Sequence, residues 1–174
     1  SSNKFFDLSN IKNKTILITC DQGLGDTILF SRFLILLLER KAKILFLVPK
    51  SIFNLMQNID HRINVILKEP NKDTYDYECS LGDLLKIFKI SSNKIPRFNS
   101  YFDIPDRYIK KWNKKVSNRK FKIGIAWQGK RGTMVDEGRS IELKYFSEIS
   151  KLKNVELISL QKNDGVNQIK EFSK

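Results

Sequence analysis

The chain has 174 residues, of which 41% are hydrophobic, and a formal net charge of +13. These values fit one domain, or one small domain with part of another, and exclude a disordered or collagen-like chain. The apolar stretches are shorter than the ~20 residues of a membrane-spanning helix, and residues 1–10 lack the apolar segment of a signal peptide. We therefore expect a cytoplasmic protein without a transmembrane segment, and a peripheral position at the inner face of a membrane stays open.

The histidine and cysteine content restricts the available chemistry. His61 is the single histidine, which argues against a histidine-based metal site and against a Ser-His-Asp triad. Cys20 and Cys79 do not form a CxxC pair, so they are expected to be reduced thiols. We expect no metal and no cofactor.

Strand and helix signals alternate along the chain. Strands are predicted over residues 15–20, 43–48, 64–67, 75–79, 122–127 and 155–160. Helices are predicted over residues 26–41, 51–58, 81–88, 106–116, 140–151 and 165–172. Continuous apolar strands separated by helices predict an α/β fold, in which helices cover both faces of a Rossmann-like parallel sheet. The polar segment 114–120 is a candidate linker, which predicts one domain over residues 1–118 and the start of a second over residues 119–174.

The first predicted strand is followed directly by the segment CDQGLGD, residues 20–26. Gly23 and Gly25 are expected to form a tight turn that a ligand can approach, and Asp26 is the predicted cap of the next helix. The carboxyl ends of strands in open α/β sheets bind ligands, and helix N-termini favour anions. The segment is not a GxGxxG fingerprint, so a dinucleotide site is weakly supported. An ordinary strand-to-helix turn is the alternative interpretation.

Two later segments also follow predicted strands. WQGKRGTMVDEGRSI, residues 127–141, is a polar loop in which the guanidinium of Arg139 could hold a phosphate group. Gln161 and Lys162 end the next strand at the same sheet edge, where Lys162 could add a second positive charge. The alternatives are a solvated surface loop and an ordinary strand end.

Together and in this order, the three segments resemble one known family. KTILITCDQGLGDTILFSRF (14–33), WQGKRGTMVDEGRSI (127–141) and ISLQKND (158–164) are similar to segments of the glycosyltransferase domain that follows tetratricopeptide repeats in many bacterial proteins. That domain is similar to heptosyltransferases. The resemblance implies a two-domain GT-B architecture, in which the first Rossmann-like domain faces the acceptor and the second holds a nucleotide-sugar.

The resemblance also implies roles for single residues. Asp26 matches the acidic residue that acts as the catalytic base in heptosyltransferases, and no metal is expected. The expected acceptor or anion site comprises Gln22, Gly23, Gly25, Thr27 and Arg32. The expected nucleotide-sugar site comprises Trp127, Gly129, Arg139, Ser140, Gln161 and Lys162. The implied partners are a nucleotide-sugar donor and a glycan, lipid-linked or protein acceptor.

The chain departs from the family pattern at two positions and in its extent. Thr133 stands where a histidine is common and Val135 where an asparagine is common. The later nucleotide-binding segment of the family does not occur, so we expect an incomplete donor site in this chain. A non-catalytic anion-binding or homodimerising module is therefore an alternative function. Nucleic-acid binding through the positive charge is disfavoured, because the lysines are scattered and aromatic residues do not alternate with them.

Overall fold

A computed structural model of the chain describes residues 6, 8–97, 100–116, 119–130, 132 and 138–172. The chain divides into two compact units, Ser1–Lys111 and Trp112–Lys174. The strands are β1 (Thr15–Thr19), β2 (Lys43–Leu47), β3 (Ile63–Ile66), β4 (Tyr77–Ser80), β5 (Phe121–Ile125) and β6 (Val155–Ser159). The helices are α1 (Leu24–Phe30), α2 (Leu34–Glu39), α3 (Phe53–Met56), α4 (Asp83–Ile87), α5 (Asp106–Lys115), α6 (Ser147–Ser150) and α7 (Gln168–Phe172).

The first unit is built on a four-stranded parallel sheet with the order β3-β2-β1-β4. Within this sheet β1 is central, and its Ile18 pairs with Phe46 of β2 and with Cys79 of β4. The middle of β1 is fully buried, as expected for a parallel strand covered on both faces. The expected Rossmann-like α/β class is therefore confirmed for this unit.

An acidic side chain joins the amino ends of β1 and β4. The carboxylate of Asp76 accepts hydrogen bonds from Lys14 Nζ and from the backbone N–H of Thr15, each at 2.8 Å. The hydrogen bond from Lys14 lowers the pKa of Asp76, because it favours the charged carboxylate. This link connects the two strands at their amino ends, and the candidate site lies at their carboxyl ends.

The helical segment after β1 differs from the predicted continuous helix over residues 26–41. It begins at Leu24, and a 3₁₀ segment, Ser31–Phe33, separates α1 from α2. The Ser31 hydroxyl donates a hydrogen bond to the Ile28 carbonyl at 2.9 Å. A hydroxyl that bonds back to the preceding turn competes with the regular helix, and we attribute the interruption to it.

The second unit contains a two-stranded parallel sheet formed by β5 and β6. Its buried core comprises Ile125, Trp127 and Leu143, with partly buried residues packed around them. The predicted helix over residues 140–151 is shorter: a 3₁₀ segment, Leu143–Phe146, leads into α6. No helix in the described part of the chain is long and apolar enough to cross a membrane.

Candidate functional site

The sheet order places the segment after β1 at a topological switch point. From β1 the chain adds β2 and β3 on one side, and it then returns to add β4 on the other side of β1. The change of direction lies between β1 and β4, so the carboxyl ends of these two strands form the switch point of the sheet. Ligands of open α/β sheets bind at such switch points, and Gln22 and Asp26 follow β1 here.

Gln22 lies against the connection that follows β4. A Cβ atom added at Gly82 would stand 2.7 Å from Gln22 Nε2, so a side chain at this position would require the Gln22 amide to move. The same connection is held by a reciprocal cap: Ser80 N–H donates to Asp83 Oδ2 at 3.0 Å, and Asp83 N–H donates to Ser80 Oγ at 3.2 Å. The S-x-x-D spacing of Ser80 and Asp83 is the sequence signal of this capping box.

Asp26 is exposed in the first turn of α1 and is not its cap. The cap is Gly23, so the predicted cap role of Asp26 is wrong. One Asp26 carboxylate oxygen lies 3.4 Å from the position that a Cβ atom would take at Gly23, so this carboxylate lies beside the cap residue. Gly23 and Gly25 do not need positive φ angles, and a Cβ atom at Gly25 would meet nothing within 4 Å. This space leaves the backbone open to a ligand.

Thr27 and Arg32, the other two residues of the expected acceptor site, are less accessible. Thr27 is 2% exposed, and its hydroxyl donates a hydrogen bond to the Gly23 carbonyl at 3.1 Å. Arg32 is partly buried, with its guanidinium carbon 5.0 Å from the centre of the Phe33 ring. Its Nε atom is buried without a hydrogen-bond partner among the described residues. Thr27 thus supports the turn, and a ligand role for either residue stays a prediction.

In the second unit, the side-chain amide of Gln161 fastens the loop after β5 to the end of β6. Its Oε1 accepts hydrogen bonds from the backbone N–H groups of Trp127 at 2.9 Å and Gln128 at 3.0 Å. Its Nε2 donates to the carbonyls of Gln128 and Asp164, both at 2.7 Å. These four bonds use both the acceptor and the donor capacity of the amide. Gln161 therefore has a supporting role in this loop.

The side chains of Trp127 and Ser140 also make hydrogen bonds within the second unit. The Trp127 ring is 2% exposed, and its Nε1–H donates to the Gly165 carbonyl at 3.2 Å. Ser140 Oγ accepts a hydrogen bond from the Gly129 N–H at 3.0 Å. The side-chain amide of Gln168 also holds the loop. It accepts a hydrogen bond from the Leu143 N–H at 2.8 Å and donates one to Gln128 Oε1 at 3.0 Å. Gln168 is not among the expected site residues, and nothing in the local sequence pattern distinguishes it.

Arg139 and Lys162 are the two expected donor-site cations. Both are exposed, and neither side chain makes a hydrogen bond or an ion pair with the residues that the structure describes. Their charges are therefore available to an anionic ligand. Thr133 and Val135, the two departures from the family pattern, lie outside the described residues.

The two thiols are poor candidates for chemistry. Burial raises the pKa of Cys20 and raises that of Cys79 to about 12, because a buried thiolate loses its hydration. Both cysteines are free, as expected from the sequence. In the described part of the chain, no group of three or more His, Cys, Asp or Glu side chains could hold a metal ion.

Two surface grooves lie away from the expected site residues. A groove of about 330 Å³ in the second unit is lined by residues of the 142–151 segment and of α7. A second groove, of about 300 Å³, lies in the first unit beside α3 and contains mainly apolar side chains. The candidate site therefore rests on strand topology and on exposed charge, and these grooves do not contribute to it.

Comparisons with known proteins give one distant match. No family model matches the chain, and no solved structure matches it. The chain is similar to Protein FlbA of Caulobacter vibrioides, with 24% identity over 139 residues that cover 68% of this chain and 23% of FlbA. It thus spans about a quarter of that relative, and the match does not assign a family.

Proposed function

We propose that the chain is a glycosyltransferase-like domain that supports metal-independent transfer of a sugar from a nucleotide-sugar to an acceptor hydroxyl. The observation that carries this proposal is an exposed carboxylate, Asp26, beside the switch point of the parallel sheet. Crevices at this position bind small molecules in open α/β sheets. The resemblance of the three sequence segments supplies the reaction class, and the distant match to FlbA adds no substrate.

In the proposed reaction, Asp26 accepts the proton of the acceptor hydroxyl while that oxygen bonds to the anomeric carbon. The bond between this carbon and the diphosphate oxygen breaks, and its electron pair stays on the leaving diphosphate. A carboxylate held within hydrogen-bond reach of the hydroxyl is suited to general-base catalysis. Gln22, which lies against the connection after β4, is placed to orient an acceptor in the same crevice.

Arg139 and Lys162 have the proposed role of stabilising the negative charge of the leaving diphosphate. Both side chains are exposed and carry no ion pair within the described part of the chain. Cationic side chains stabilise developing phosphate charge without a metal ion. Trp127, Ser140 and Gln161 act through the shape of the loop, because their side-chain polar atoms bond to the loop itself or to the turn after β6.

The alternative is a non-catalytic anion-binding module. The same internal hydrogen bonds favour this module, since three of the six expected donor-site residues have their side-chain polar groups occupied within the protein. Such a module would bind a diphosphate through Arg139 and Lys162 without transferring a sugar.

A donor panel separates the two functions. The purified chain is incubated with nucleoside-diphosphate sugars and a bacterial glycolipid extract, with and without EDTA. If the chain transfers sugar, we expect release of the nucleoside diphosphate and an acceptor that is heavier by one sugar. EDTA should leave the rate of transfer unchanged, and Arg139→Ala should lower it. Binding of a nucleoside-diphosphate sugar without release of its nucleoside diphosphate would favour the non-catalytic module. The absence of both binding and release would contradict both functions.

A further inference from the structure

Helix α5 separates its apolar and basic side chains into two faces. At 3.6 residues per turn, Tyr108, Ile109 and Trp112 fall within an arc of about 100°. The remaining part of the helix surface carries five basic residues: Arg107, Lys110, Lys111, Lys114 and Lys115. The helix contains a single acidic residue, Asp106. This arrangement is typical of a helix that lies at an interface between apolar and aqueous surroundings.

The apolar face of α5 is open to solvent. None of the ten helix residues is buried, and Trp112 is 53% exposed. Tyr108 also lines the mainly apolar groove of about 300 Å³ in the first unit, together with Phe102, Ile104 and Leu55. The apolar lining of this groove therefore includes Tyr108 of the helix.

We propose that α5 is a docking helix that lies in the headgroup region of an anionic lipid bilayer. Tryptophan and tyrosine favour this region, because each combines an apolar ring with a polar group. Lysine and arginine on the other face are attracted to anionic headgroups. The flanking cations stay close to the rings: Lys115 Nζ is 5.2 Å from the centre of the Trp112 ring, and the Arg107 guanidinium is 5.0 Å from that of Tyr108.

The charge of the helix argues against two other occupants. A second copy of the chain would bring two helices with five basic residues each, and two chains of net charge +13, into contact, which is repulsive. Nucleic acid would satisfy the basic face, but it would leave Ile109 and the other apolar side chains without a matching surface. An anionic bilayer offers both negative charge and an apolar interior.

Vesicle binding by the purified chain tests the proposal. We expect binding to phosphatidylcholine vesicles that contain phosphatidylglycerol, with roughly tenfold weaker binding to phosphatidylcholine alone. Trp112 emission is expected to move to shorter wavelength on binding, whereas Trp127 is already buried. The Trp112→Phe variant should bind within about threefold of the wild type and lose this spectral shift.

A matched pair of charge variants separates α5 from net charge. Lys110→Glu/Lys111→Glu should reduce binding to the anionic vesicles by roughly tenfold, because each lysine near the surface contributes to attraction. Lys50→Glu/Lys68→Glu, on exposed residues elsewhere, makes the same change in net charge and should have a smaller effect. Circular dichroism checks that each variant is folded. If the helix variant unfolds, the test is instead whether about 0.5 M salt releases the wild-type chain from the anionic vesicles.

Four outcomes would overturn the proposal. Equal losses in the two double variants would indicate a response to net charge alone. Vesicle binding without a spectral shift of Trp112 would show that the apolar face stays in water. Sedimentation of a dimer that Trp112→Glu dissociates would identify a second copy as the occupant. Tighter binding to duplex DNA than to anionic vesicles, lost in the helix variant, would identify nucleic acid.

Discussion

At the scale of single residues, the motif side chains fall into two groups with different functions. Gln161, Ser140 and Trp127 direct their polar atoms into the protein, where they hold the loop after β5. Asp26 and Arg139 are exposed and remain available to a ligand. Residues of the same motif therefore require different experiments: stability for the first group and activity for the second.

The Gln161→Ala variant tests the supporting role. It removes the acceptor of two backbone N–H groups and the donor to two carbonyls, so the second unit is expected to lose about 2–4 kcal/mol of stability. Urea unfolding is followed by Trp127 fluorescence in a Trp112→Phe background. Gln57→Ala is the matched control, because Gln57 is exposed. Equal midpoints for the two variants would show that the Gln161 bonds do not stabilise the loop.

The residue types of the candidate site could be predicted from the sequence, but their bonding could not. The motif identified Gln161 and Ser140 as functional positions, and only the fold shows that their hydrogen-bond capacity is used internally. The partner of the Gln161 amide is 33 residues distant in the sequence. Contacts over such distances depend on how strands and loops meet, and no local pattern encodes them.

At the scale of elements, the strand signals were reliable because they rest on apolar runs between turn residues. β1 begins and ends within one residue of its prediction, and β2 likewise. The helix after β1 was less well predicted, because side-chain hydroxyls bond to its backbone. Helix ends depend on such local competition, and periodicity does not detect it.

The turn between β6 and α7 provides a test of close packing in the second unit. Gly165 has φ +84°, and a Cβ atom there would stand 2.8 Å from Gln128 Oε1 and 3.0 Å from Trp127 Nε1. Gly138 also has positive φ, +75°, but a Cβ atom there would meet nothing within 4 Å. Gly138→Ala is expected to cost about 1 kcal/mol of stability from backbone strain.

Gly165→Ala is expected to cost about 1–3 kcal/mol more than Gly138→Ala, because it adds a steric conflict to the same strain. The two free energies of unfolding are compared by urea titration under identical conditions. Equal losses would mean that the turn moves away from Trp127 at little cost, and that the loop is less tightly held than the structure indicates.

At the scale of the whole molecule, two units with parallel sheets carry the expected α/β architecture. The order β3-β2-β1-β4 could not be predicted from the sequence, because apolar strands of similar length carry no signal of which strands pair in the sheet. That order is what places Asp26 beside the switch point. The net charge of +13 is a further property of the whole chain, and α5 concentrates five of its basic residues on one face.

The most direct test of the central claim is the rate of sugar transfer by the Asp26→Asn variant, measured with the donor and acceptor that the panel selects. Asp21→Asn is the matched control, because it makes the same chemical change at an exposed residue close in sequence. We expect Asp26→Asn to lower the rate roughly 100-fold or more with unchanged circular dichroism, and Asp21→Asn to stay within about threefold of the wild type. A folded Asp26→Asn variant that transfers sugar at the wild-type rate would show that Asp26 is not the catalytic base.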